Sequence, residues 1–235
     1  MGRVSDAKQR LMDAVSELIW KGSYGSTTID QICDKAGVKK GSFYYFFDSK
    51  AELAETAIAQ DWEKHRPELD AVFSPTVAPL ERLRHYCDFM YRFQAEIRAK
   101  YGAVLGCPLF SVGAEVSTQE SRVLKKIQDI LDYKVKYFES TIRDAHAAGL
   151  IEAPDPAAKA HSLFAYYQGL ITEARIRNNL EILKTAVEHK ATMIILGLSS
   201  KGMLTRLIEG NVAQEIIRGA HVPVLLLPPD WLNPI

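Results

Sequence analysis

The chain has no surplus of charge. Its 29 Lys and Arg balance 29 Asp and Glu, and the isoelectric point lies near 7.0. That excludes a wholly basic nucleic-acid coat, although a local basic face is still allowed, because a polyanion meets the face presented and not the total. Cysteine is scarce. Cys33, Cys87 and Cys107 are odd in number, 54 and 20 residues apart, and form no C-x-x-C. Neither a disulfide framework nor a zinc site fits them, and the pattern reads as a reducing compartment. Long apolar runs are missing as well. The longest, Met193–Leu196 and Val222–Leu227, fall far short of the ~20 residues that span a bilayer. The polar start Met-Gly-Arg-Val-Ser-Asp has no signal-peptide core. A soluble, cytoplasmic protein without a membrane partner is therefore expected. No cluster of acids or histidines points to a metal, and no nucleophile–base pair points to catalysis. The expectation is a non-enzyme without a cofactor.

What is present is mostly helical. Leu11, Ala14, Val15, Leu18 and Ile19 recur at three and four residues, the stripe of an amphipathic helix, which Gly22 and Gly25 stop. Thr28-x-x-Gln31 and Ser49-x-x-Glu52 read as capping boxes opening two further helices. Between them Gly37 predicts a sharp left-handed turn, followed by a helix from about Lys39 to Phe46. The stretch from about Arg66 to Thr118 is punctuated by Pro67, Pro75, Pro79 and Pro108. It reads as less regular, although Leu80, Leu83, Tyr86, Cys87, Met90 and Phe93 keep helical spacing, with Gly106–Phe110 as a small loop-like segment. Two longer helices follow, one through Leu124–Ala145 ended by Gly149, the other capped by Asp155 with Pro156 in its first turn. Helices with this much apolar face need partners, and a four-helix bundle between two subunits supplies them.

Two short helices joined by a glycine turn make a helix-turn-helix. The second displays Lys39, Lys40, Ser42, Tyr44 and Tyr45 outward, with Val38, Phe43 and Phe46 facing in. Within residues 1–50, eight Lys and Arg stand against six acids. Lysines and tyrosines on one short helix suit a major groove and its phosphates. The same pattern also fits a solvated surface helix.

The string from Thr27 to Leu53 tips that balance. Its Ala36-Gly37-Val38 turn, the block Gly41-Ser42-Phe43-Tyr44-Tyr45-Phe46-Phe47 and the start Ser49-Lys50-Ala51-Glu52-Leu53 closely resemble the tetracycline-repressor family of bacterial transcription regulators. The resemblance covers about residues 5–189. It implies a three-helix DNA-binding domain over 1–52 and an all-helical ligand-binding and dimerisation domain over 53–189. By the same resemblance Thr28 and Tyr44 grip phosphates, Lys50 stands at the start of helix four, and Lys39, Lys40 and Ser42 lie nearest the base edges. Position 45, often His in the family, is Tyr here and keeps a polar tip within reach of a phosphate. The implied protein is a homodimeric repressor, released from a palindromic double-stranded operator by a small-molecule effector.

The resemblance places that effector among the middle helices, so Trp62, Tyr86, Phe89, Met90, Phe93, Cys107 and Phe110 are candidates. Aromatic and Met residues at helical spacing equally make a core. Gly106–Ser117 is similar to the N-ethylmaleimide-responsive repressor group, in which a cysteine senses electrophiles. Cys107 is thus either a sensor thiol, which must be accessible and partly ionised, or a buried small hydrophobe.

The texture changes after Glu188. A continuous apolar run to Leu196, a glycine loop, a helical pattern from Leu204 to Ile217 and a last run Pro223–Leu227 read as a βαβ unit over 190–235. This tail resembles the last third of a universal stress protein. That family's ATP loop is G-x-x-G, nine residues, then G-S/T. Here Gly197, Ser200, Gly202, Gly210 and Asn211 occupy the frame, with the second glycine and the final hydroxyl replaced. Either the tail binds nucleotide and gates DNA binding, or its last strand pairs across a dimer, or it is inert.

Overall fold

In the computed structural model, described for residues 2–118, 120–188, 194–197 and 224–227, the chain is almost all helix. The helices are α1 (Gly2–Lys21), α2 (Ile29–Ala36), α3 (Lys40–Phe46), α4 (Lys50–Val72), α5 (Pro79–Tyr101), α6 (Pro108–Val116), α7 (Ser121–Ala147), α8 (Pro156–Arg177) and α9 (Glu181–Glu188). Local chemistry fixes many of their ends. Thr28 and Gln31 form the full reciprocal capping box at α2. Gly37 follows at φ 62°, a left-handed backbone that only glycine takes freely. Ser49 accepts the Glu52 amide at the head of α4, but Glu52 reaches one residue further back than a capping box requires, to the Asp48 amide. Asp155 accepts the Ala158 amide with Pro156 behind it.

The middle of the chain is more regular than its prolines imply. Pro67 lies inside α4 and does not end it. Leu69 and Phe73, both buried, anchor the turns beyond it, and that packing outweighs the lost hydrogen bond. Likewise Pro108 is not in a loop. It occupies the first turn of α6, where its missing N–H costs nothing, and only residues up to Cys107 precede the helix.

The chain forms two compact units, Met1–Leu183 and Lys184–Ile235. In the first, α1, α2 and α3 close on Leu11, Val15, Ile32 and Phe43, none exposed. The same core continues through Leu53 of α4, Val112 and Val116 of α6 and Val123 and Ile127 of α7. The first three helices therefore have no separate core of their own. A second centre surrounds Phe138 of α7, whose ring meets those of Phe73, Tyr86, Phe164 and Tyr167 at 4.9–5.9 Å. Buried Arg82 pins the head of α5: it pairs with Asp144 at 2.6 Å and donates to the carbonyls of Pro75 and Val77.

In the second unit, β1 (Ile194–Gly197) and β2 (Val224–Leu227) pair in parallel, Ile194 opposite Val224 and Gly197 opposite Leu227. The segment expected to be a helix, 204–217, lies outside the described residues. Among the described residues no helix is long and apolar enough to cross a membrane.

Candidate nucleic-acid interface

The reading head is built from the inside out. Phe43 is fully buried and Phe47 nearly so, and they fasten α3 to α1 and α2. With one side anchored, the periodicity of a seven-residue helix turns Tyr44 and Tyr45 outward. They are 53% and 75% exposed, high for aromatic side chains. Lys39 caps α3 without a side-chain bond, is exposed, and makes no ion pair among the described residues. Ser42 is half-buried on the same helix. Thr28 is exposed, with its hydroxyl oxygen accepting the Gln31 amide. Five of the seven residues expected at the interface thus lie on or beside one open face of α2 and α3, with no acidic partner among the described residues.

The other two are engaged within the chain. Lys40 Nζ lies 2.7 Å from Asp30 Oδ1, and both side chains are exposed. The hydrogen bond to Asp30, and its charge, hold the Lys40 ammonium above the usual lysine range. Lys50 is turned inward. Its ammonium donates to the carbonyls of Tyr24 at 2.8 Å and Thr27 at 2.9 Å and sits over the Tyr24 ring. Burial pushes it below the ordinary lysine range, against the opposing pull of Glu115 and Glu120. As placed, Lys50 braces the turn ahead of α2 instead of reaching outward.

Two residues that sequence reasoning passed over shape this head. Arg10 of α1 donates to the carbonyls of Ala36 at 2.9 Å and Gly37 at 3.3 Å, holding the glycine turn from behind. Glu115 of α6 accepts the backbone amides of Tyr24 at 2.8 Å and Gly25 at 2.6 Å. No local spacing marks either one, since their partners are 26 to 91 residues away.

The effector candidates divide into groups. Phe93 stacks on Trp20 and on Phe89, with His65 edge-on, between α1, α4 and α5. Trp62 packs on Tyr133 of α7. Tyr86 belongs to the Phe138 centre, while Met90, Cys107 and Phe110 share a cluster with Ile171 and Ala174 of α8. Cys107 is 8% exposed at the cap of α6. Cys87 donates to the Tyr167 hydroxyl at 3.1 Å, and burial pushes its thiol up to about 11. Three side-chain groups of these helices are buried without a partner among the described residues: the Tyr86 hydroxyl, the Gln168 carbonyl oxygen and Arg175 Nη1. Gln168 also lines a surface groove of about 600 Å³ with Phe110, Ala165, Gly169, Thr172 and Ile176. Of the expected loop in the tail, Gly197 ends β1, while Ser200, Gly202, Gly210 and Asn211 lie outside the described residues. No group of three or more metal-ligating side chains forms among the described residues.

Comparison with known proteins agrees with this geometry. Residues 11–57 match the model of bacterial regulatory proteins of the tetR family, and residues 79–190 match the tetracyclin repressor-like C-terminal domain. An uncharacterized helix-turn-helix regulator from the lacX 3′ region of Lactococcus lactis is 29% identical over 184 residues, 77% of this chain and 89% of its own. The crystal structure of a TetR regulatory protein from Rhodobacter sphaeroides superposes with a TM-score of 0.68 at 27% identity, covering 78% of this chain and 96% of that one. A 47-residue stretch is 40% identical to a universal stress protein of Methanocaldococcus jannaschii, 28% of that protein's length. The two family matches together span well over half of the residues, one on the reading head and one on the helices behind it, and the chain belongs to the tetR family of bacterial regulatory proteins: it is a transcriptional regulator, not an enzyme.

Proposed function

We propose that the protein is a homodimeric, cytoplasmic repressor. Each subunit sets α3 into one major groove of a palindromic operator, with Lys39, Lys40 and Ser42 toward base edges and Thr28, Tyr44 and Tyr45 on phosphates. The observation that carries this is the open face of α3, where two exposed tyrosines stand on a helix locked from behind by Phe43, beside a cap lysine, Lys39, that forms no ion pair among the described residues. Exposed aromatic hydroxyls and lysines are the groups that bind phosphates.

The dimer reading rests on α8. One row, Ala160, Phe164, Tyr167, Ile171 and Ala174, is buried in its own subunit. A second row, Ala158, Ser162, Ala165, Gly169, Thr172 and Ile176, is exposed at alternating steps of four and three, the spacing of a helix-packing seam. A Cβ on Gly169 would touch nothing in its own chain. Glycine inside a helix costs about 1 kcal/mol relative to alanine, so its presence points to close approach by a second helix. We place the effector among α5, α6, α7 and α8, where the Tyr86 hydroxyl and the Gln168 carbonyl oxygen await partners. Its binding shifts the population toward subunit spacings that no longer fit DNA. The tail is assigned a supporting role, a βαβ unit whose edge strand pairs with a second copy. Nucleotide binding at Gly197–Asn211 is the competing reading, and equilibrium dialysis with ATP, alongside Gly197→Val, separates the two.

Fluorescence anisotropy with DNA from upstream of the gene, across a salt series, tests the main proposal. Tight binding to one short palindrome, steeply weakened by salt and by the double change Lys39→Ala with Tyr44→Phe, supports it. Weak binding, equal on any sequence and indifferent to these changes, overturns it.

A further inference from the structure

The turn joining α1 to α2 is held from two sides. On one side Glu115 of α6 accepts three donors from it: the Tyr24 amide at 2.8 Å, the Gly25 amide at 2.6 Å and the Ser23 hydroxyl. Gly25 does not take the left-handed backbone that would demand glycine. A Cβ there would instead lie 3.0 Å from Glu115 Oε1, so the carboxylate occupies the space a side chain would need. The Tyr24 hydroxyl donates to Glu120, just beyond α6, at 3.2 Å. On the other side Lys50 of α4 donates to the carbonyls of Tyr24 and Thr27. Burial pushes the Glu115 carboxyl up, but the bonds from Ser23, Gly25 and Tyr24 and the Lys50 charge outweigh it and hold the group below its ordinary range. The turn ends at Thr28, the cap of α2.

The opposite end of α6 is anchored just as firmly, in the effector helices. Gly106 exchanges two hydrogen bonds with Gln94 of α5, at 3.0 and 3.1 Å. The Val104 amide donates to Asn178 at the end of α8, and Trp20 donates to the Leu105 carbonyl. A nine-residue helix thus runs from a socket bonded to α5, to the end of α8 and to Trp20 of α1, to a carboxylate seated on the backbone of the reading head.

We propose that Glu115 is the positioning residue through which DNA binding and the effector helices sense each other. The assignment rests on the DNA-binding reading above. A displacement of α6 is passed to residues 23–27 by directional bonds to backbone, and so to the start of α2, without any side chain of α6 approaching DNA. Coupling between two sites is reciprocal. DNA itself can therefore serve as the probe, and the effector need not be known.

The experiment is amide hydrogen exchange of the full chain, with and without the upstream duplex, read at residues 104–116. For the native protein, DNA changes exchange there by roughly fivefold or more, the lower end of ordinary allosteric coupling. Glu115→Gln keeps size and weakens the grip. Gly25→Ala keeps every donor and crowds the carboxylate, whose oxygen must give way by a few tenths of an ångström. With the duplex at saturation, both variants are expected to lose the response at 104–116. Retention of the full response in both variants overturns the proposal and leaves the continuous helix α4, or the bond from Trp20 of α1 to Leu105, as the route. A fall in DNA affinity that follows thermal stability, with the response per bound duplex intact, makes Glu115 merely structural and overturns it too. Failure of the native protein to bind any duplex instead removes the DNA-binding reading itself.

Discussion

On the open face of the reading head a carboxylate stands where a polyanion is proposed to dock. Asp30 holds Lys40 at 2.7 Å, both in solvent, where an ion pair contributes about 0–1 kcal/mol. Small as it is, this contribution competes with DNA for the Lys40 ammonium, and removing it is expected to strengthen sequence-independent binding. Asp30→Asn should raise affinity for random duplex DNA and steepen the salt dependence of log K by about one unit, the slope of one added phosphate contact. Asp34→Asn, whose carboxylate forms no ion pair among the described residues, should leave the slope unchanged. Gly37 at φ 62° tells a different kind of story. Gly37→Ala forces a Cβ into the left-handed region, at roughly 1–2 kcal/mol, which urea denaturation would register as a lower midpoint. That glycine and the Thr28–Gln31 box were legible in the sequence, because a cap or a turn is decided by residues three or four apart. The inward turn of Lys50 and the grip of Glu115 were not, because their partners lie 23 to 92 residues away and no spacing announces them.

Among the elements, α8 is the clearest case of one sequence serving two surfaces. Its buried row packs on α7 within the subunit, and its exposed row ends at Ile176, 78% exposed. A Cβ at position 169 would meet no atom within 4 Å among the described residues, so Gly169→Ala adds a methyl without disturbing the subunit's own packing. It should therefore preserve helicity while shifting sedimentation toward monomer. A variant that remains dimeric would remove α8 from the interface. Arg82 makes a contrasting prediction about α5. Its guanidinium is 3% exposed and serves Asp144 and two carbonyls, while Asp144 is 40% exposed and can be rehydrated. Arg82→Met should thus cost about 2 kcal/mol, nearer the loss of hydrogen bonds to a charged group than the full price of a broken buried pair, measured by the shift in denaturation midpoint. At this scale the sequence misled through its prolines. Pro67 marks no boundary because burial beyond it holds the helix, and Pro108 begins a helix because its missing amide falls where none is needed. Helix existence was readable from apolar spacing. α5 was readable too, from the helical spacing of Leu80 to Phe93, whereas the continuity of α4 through Pro67 depended on packing that spacing alone does not contain.

For the molecule as a whole, the reading helices and the helices behind them share a core through Leu53, Val112, Val116 and Val123, so an operator contact and an effector contact are never mechanically separate. The family was legible because the string from Thr27 to Leu53 combines caps, a glycine turn and an aromatic block in fixed register. The proposed effector site was less so: the seven candidate residues are spread over several packed clusters, and the unpartnered Tyr86 hydroxyl and Gln168 carbonyl emerge only once burial is known. The central claim is that two copies of α3 read one two-fold site. Hydroxyl-radical footprinting of the upstream DNA tests it most directly. The account predicts two protected patches on one face of the duplex, related by a two-fold axis and separated by about one helical turn or a multiple of it, both lost together with Tyr44→Phe and Lys39→Ala. A single patch, or uniform weak protection that these changes do not alter, would contradict it.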